Sequence, residues 1–176
     1  RAKKPVALPT YGFVDLGEDY SGLDSDGRYN IREPNHITQE EKGKGKASRL
    51  YRRMHPNAGP NGSGNNHPLH NQTEVLLYPV GGDPDRKIIA GSLYNSKFPD
   101  IVNNANSSQS VRRTAGGIEE IMEDSDGAKY YSLRIPQENT YISMGADHHS
   151  DHSPPGVSVA SNAGISMNAG GGVMIT

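Results

Sequence analysis

Cysteine and tryptophan are absent from the 176 residues, phenylalanine occurs twice, and no apolar run approaches the roughly 18–20 residues that span a bilayer as a helix. Without cysteine there is no disulfide framework, no thiolate-held zinc and no cysteine nucleophile. No apolar segment of signal-peptide type opens the chain. Neither sign of charge dominates: 18 Lys and Arg face 20 Asp and Glu, a formal net charge of −2. That balance argues against a dedicated nucleic-acid or membrane-surface binder, which carries a basic excess. With only 32% hydrophobic residues, a large conventional core is not expected. The 21 glycines and 12 prolines punctuate the chain too often for long helices. The length allows one domain, or one domain plus an extension. A start at Arg1 without Met, and a stop at Ile175-Thr176 inside an apolar alternation, predict a fragment cut at both ends.

What is present in the first half is a series of short strand-like runs. Thr10–Leu16 and Arg28–Arg32 are separated by an acidic stretch containing Asp24-Ser-Asp-Gly27, where Asp-Gly supplies the positive φ of a tight turn. Ala47–Met54 is a third run, with Leu50 and Arg52 on one face and Tyr51 and Arg53 on the other. Glu74–Val80 and Lys87–Tyr94 are the fourth and fifth, joined by Gly81-Gly-Asp-Pro-Asp-Arg86. In that connector Pro84 fixes φ and the aspartates are placed to accept backbone N–H groups. Helix signals amount to Gln39–Lys42, interrupted by Gly43 and Gly45. An all-β chain that begins with a small five-stranded barrel over residues 1–95 is predicted.

Residues 96–115 are rich in Asn and Ser and read as a linker. Beyond them Gly156, Gly164 and Gly172 fall eight apart, and apolar residues follow each at +1 and +3: Val157 and Val159, Ile165 and Met167, Val173 and Ile175. Ile142 and Met144 are an earlier copy of the pair. One such octad buries too little apolar surface to offset the ordering of its own backbone. Three chains wound together would pair strand edges between chains and gather the apolar pairs on an axis, with glycine easing each corner. Residues 116–176 are therefore expected to form an intertwined, trimeric β-helix or β-prism needle. A single-chain solenoid and a flexible Gly/Ser tail are the alternatives the period leaves open.

Specific residues carry a family likeness. Glu74-Val-Leu-Leu-Tyr-Pro-Val-Gly-Gly-Asp-Pro-Asp-Arg-Lys-Ile-Ile-Ala-Gly-Ser-Leu-Tyr-Asn95 closely resembles the hallmark block of VgrG proteins, the spike of the bacterial type VI secretion system. Asp24–Ile31, Ser48–Arg52 and Asn57-Ala-Gly59 fall where that family has its second strand, third strand and following loop. The likeness covers about Leu8–Asn95, and extends to the spikes of contractile phage tails. It implies an oligonucleotide/oligosaccharide-binding-type (OB-type) barrel leading into a trimeric needle that punctures membranes and delivers effectors. It also implies a tail-tube partner through an N-terminal hub, and a spike-tip cap protein and effectors at the other end. Assembly would take place in the bacterial cytoplasm, with delivery outside the cell or into a target cell. The chain departs from the family pattern in having no Trp in its third strand, and in the detail of residues 35–46 and 57–69.

Three clusters offer chemistry. Asp147-His-His-Ser-Asp-His152 holds metal-ligand residue types, and His148, His149 and His152 could gather on a threefold axis; the plainer reading is a solvated loop before Gly156. Lys42, Lys44, Lys46, Arg49, Arg52 and Arg53 form a basic stretch, with Tyr51 its one aromatic platform. A solvated or inter-subunit face is the favoured reading there, and no nucleic acid is expected. Asp83, Asp85 and Arg86 have the makings of a carboxylate pair, but their Pro-containing turn favours a structural loop. No nucleophile elbow, phosphate-binding glycine loop or His-Glu-x-x-His helix occurs. The expectation is a non-enzymatic structural protein with no cofactor and no catalytic, binding or metal site. The second reading is an OB-type module that binds oligonucleotide or glycan, with the tail as an oligomerisation stalk. A carbohydrate-active β-helix is the third, disfavoured by too few rungs and the lack of an acid pair on the repeat.

Overall fold

The structure, a computed structural model, describes residues 6–15, 23–34, 49–146 and 155–166. The chain is all-β and divides into two units, Arg1–Pro99 and Asp100–Thr176. Among the described residues each carries one five-stranded antiparallel sheet.

In the first unit β1 (Thr10–Val14), β2 (Tyr29–Arg32), β3 (Arg49–Tyr51), β4 (Glu74–Pro79) and β5 (Lys87–Leu93) lie in the order β3-β2-β1-β4-β5. These are the five strands expected from apolar alternation. Every second residue turns inward, so that Val14, Tyr29, Ile31, Tyr51, Val75, Leu77 and Ile89 make one core, joined by Leu69 from the β3–β4 connection. Burying an aliphatic side chain of this kind stabilises by about 1.5–3 kcal/mol.

The sheet is a curled half-barrel, and three local features bend it. A bulge in β5 opposite Leu76 and Leu77 leaves Ala90 without a partner, which kinks the strand and increases its twist. Gly12 on β1 has no room for a side chain, because a Cβ there would meet Ile31 Cγ2 at 2.5 Å. Finally, the two outer strands approach each other: Arg53 and Ile89 form a parallel bridge, with Ile89 N–H donating to Arg52 O at 2.9 Å and Met54 N–H to Ile89 O at 2.8 Å.

A buried ion pair spans the same curl. Glu33, just after β2, accepts from Lys87 Nζ at 2.5 Å, and the Tyr51 hydroxyl donates to its other oxygen. Burial, reinforced by the Glu33 carboxylate, pushes the Tyr51 phenol well above its ordinary value. It therefore stays a neutral donor.

Both turns singled out in the sequence have the expected mechanism. Asp24 Oδ1 accepts the N–H groups of Asp26 and Arg28, and Gly27 takes φ 73°. Those backbone donors, that of Arg28 above all, hold the Asp24 carboxyl below its usual range. In the β4–β5 connection Asp83 Oδ1 accepts from Asp85 N–H at 3.0 Å, after a single 3₁₀ turn over Val80–Gly82.

The second unit is a meander of β6 (Gln109–Arg113), β7 (Glu119–Glu123), β8 (Tyr130–Ile135), β9 (Thr140–Gly145) and β10 (Gly156–Ala160), in sequence order across the sheet. This differs from the composition-based reading at one point. Residues 109–113, inside the stretch read as linker, are a strand, because Arg112 and Arg113 sit opposite Glu120 and Glu119 and pair with them. β6 to β10 pair with one another as antiparallel neighbours joined mostly by short turns. Of the octads only the first lies in the described residues through its whole length. Its Val157 and Val159 sit beside Met144 and Ile142, so the two apolar pairs noted in the sequence are neighbours in one sheet.

Candidate functional site

The register of the second sheet sorts its side chains into two faces of opposite character. On one face Met122, Tyr131, Met144 and Val157 form a row across four strands, and Leu133, Ile142 and Val159 form the next, beginning at Glu120. The other face carries Ile121, Ser132, Ser143 and Ser158 in its central row, flanked by Glu123 and Tyr130 on one side and by Glu119, Arg134 and Tyr141 on the other.

Burial runs opposite to what a one-sided sheet in water ordinarily shows. Ser143, Ser132, Glu123 and Tyr141, all on the polar face, are buried. The apolar face is open: Met122, Ile142 and Met144 are each more than 40% exposed, Val159 53% and Val157 75%. Contiguous exposed apolar surface of this kind marks an interaction site. Tyr131 contributes its ring to the row while its hydroxyl donates to Glu120 Oε1 at 3.0 Å. That hydrogen bond raises the phenol above its ordinary value, so it remains uncharged within the apolar row.

Glu123 and Arg134 show how the polar face is bonded: Arg134 donates to Asn139 Oδ1 at 3.2 Å, while its buried Nε has no partner among the described residues. Glu123 accepts from the Ser108 hydroxyl and from Ser125 N–H at 2.8 Å, and these donors, Ser108 first, bring its carboxyl down from 4.5 to about 2. Among the described residues the polar face is thus the more buried one and the apolar face the more exposed.

The residues singled out in the sequence are placed as follows. Tyr51 is a core residue, 6% exposed, so it offers no platform on which a base can stack; its inward position follows from the alternation along β3. Arg49 is exposed and lies 3.6 Å from Asp85. Arg53 donates to the carbonyl of His67. Asp83 and Asp85 belong to the turn hydrogen bonds already described. Arg52 and Arg86 meet on one cavity, which the sequence did not indicate because they lie 34 positions apart. Lys42, Lys44, Lys46, His148, His149 and His152 lie outside the described residues, as do Met167 and the third octad. The two-faced sheet itself escaped the sequence reading: only its Ile142, Met144, Val157 and Val159 were recognised as a pattern. Compared with protein-family models and with curated proteins, the sequence matches neither.

Proposed function

We propose that this chain is the shaft portion of a cell-puncturing spike of VgrG type, in a type VI secretion apparatus or a related contractile tail. Three copies would associate through the open apolar faces of their second sheets, and the glycine octads would continue the assembly as a wound needle. The observation that carries this reading is the exposed row Met122–Tyr131–Met144–Val157 with its neighbour Leu133–Ile142–Val159. Self-association is the occupant the sequence favours, because the octads extend the same alternation of Gly and apolar pairs beyond β10.

The first unit supports the OB-type part of the reading. Its sheet order, with a parallel bridge between the third and fifth strands, is the connectivity of a five-stranded barrel closed through those strands. In this reading the work is mechanical: a stiff multimeric rod carries axial force and cargo when a sheath contracts, the tail-tube protein bound on the hub side, the cap protein and effectors on the tip side. No chemistry is required of it.

Electron microscopy of the purified chain tests the proposal, with Ile142→Asp as the comparison. Elongated particles with threefold end views, lost in Ile142→Asp while the half-barrel still folds, are expected. Compact single-chain particles in both samples would overturn the reading and leave the binding-module alternative in front.

A further inference from the structure

The half-barrel carries a second feature, distinct from the sheet face. A cavity of about 230 Å³ opens beside the barrel closure, lined by four cations, Arg28, Arg52, Arg86 and Lys87, and by the apolar Leu50, Val80 and Ile88. Among the described residues no carboxylate lines it.

Two of the four charges are already balanced. Arg28 is held by Asp24 at 2.6 Å and Asp26 at 3.1 Å, and Lys87 by Glu33 at 2.5 Å. Neither Arg52 nor Arg86 has an ion-pair partner among the described residues. Their backbones are nonetheless fixed. Arg52 O accepts Ile89 N–H at the closure; Arg86 N–H donates to Asp83 O at 3.2 Å, and its own carbonyl accepts Val80 N–H at 2.7 Å. Two guanidiniums with no ion-pair partner among the described residues thus line one small cavity from fixed backbone positions, beside two further cations. Like charges brought together repel unless an anion lies between them.

We infer that this cavity binds a small phosphate-class oxyanion, held chiefly by Arg52 and Arg86. A guanidinium fork matches the oxygen pairs of phosphate, and two such forks suit one tetrahedral group or two linked ones. The volume is below the roughly 300–1,000 Å³ of pockets that take drug-sized ligands, which favours a compact anion. Among the described residues no aromatic ring lines the cavity, and none there offers the stacking that holds single-stranded nucleic acid.

The test is calorimetric titration of the full chain at low ionic strength with inorganic pyrophosphate, orthophosphate and a twelve-residue oligothymidylate. Saturable binding of pyrophosphate, one per chain, is expected. Arg52→Gln and Arg86→Gln should each weaken it roughly ten- to hundredfold, the range for a lost charge-assisted contact. Arg86→Lys, which keeps the charge and loses the fork, should fall between. Arg112→Gln, on the second sheet and paired with Glu120, should leave binding unchanged. Both cavity arginines are exposed, so unchanged melting temperatures will show that the variants fold. Absence of saturable binding, equal loss in Arg112→Gln, or tighter binding of the oligothymidylate than of pyrophosphate would each overturn the inference.

Discussion

Replacing Glu33 by Gln should lower the melting temperature of the half-barrel by roughly 10–20 °C. The two charges of the Glu33–Lys87 pair are nearly enclosed, with side-chain exposures of 9% and 11%. Gln retains an oxygen for the Tyr51 hydroxyl, so the perturbation is confined to the charge opposite Lys87. Removing one partner of a fully buried pair costs about 3–5 kcal/mol, because the other ion is left without compensation. Lys87 also lines the cavity and neither charge is fully enclosed, so the cost falls to about 2–3 kcal/mol. At about 4–8 °C per kcal/mol for a unit of this size, the shift is well resolved by scanning calorimetry of the full chain. The double variant Glu33→Leu/Lys87→Met removes both ions and should recover most of the loss, since no charge is then stranded. A Glu33→Gln protein that melts within about 2 °C of the wild type would refute the reasoning, given that scale. So would a double variant no better than the single one.

Three further outcomes follow from particular groups. The Tyr51 phenol is raised in the folded chain above its ordinary 10.0, so its share of stability is complete below pH 10 and is lost as pH rises beyond; alkaline unfolding monitored by circular dichroism should be less steep in Tyr51→Phe. Glu123 is lowered to about 2 from 4.5, so its contribution is complete above pH 4.5 and is lost as pH falls toward 2; in Ser108→Ala, carboxyl NMR titration should place Glu123 nearer its ordinary value and the acid loss should be smaller and end at a higher pH. Gly12→Ala should destabilise the half-barrel by about 1–3 kcal/mol in urea unfolding, because the added methyl displaces Ile31 and presses on Leu77 in a filled core.

Much of the first sheet was legible because its information is local. Tyr29 and Ile31, or Val75 and Leu77, alternate with less buried neighbours, and Asp-Gly or Gly-Asp-Pro-Asp punctuation marks where strands begin and end. The core position of Tyr51 was implicit in the same alternation, which placed it opposite Leu50 and Arg52. The second sheet was harder to read. Gln109-Ser-Val-Arg-Arg113 and Glu119-Glu-Ile-Met-Glu123 look like solvated charge until the register sets Arg112 against Glu120 and Arg113 against Glu119. Long-range electrostatics left no trace in the sequence: Glu33 and Lys87 are 54 residues apart, and the cavity draws Arg28, Arg52 and Arg86 from separate turns and strand ends. The apolar face was visible only in part, since Met122 and Leu133 stand among charged and polar neighbours and join Ile142 and Met144 only through pairing.

Absolute mass in solution, measured by size exclusion with multi-angle light scattering, tests the central proposal most directly. Association through the open face of the second sheet predicts a mass three times 19.0 kDa, independent of dilution across the micromolar range. A mass of 19.0 kDa at every concentration, with Met122, Met144 and Val157 left in water, would contradict it.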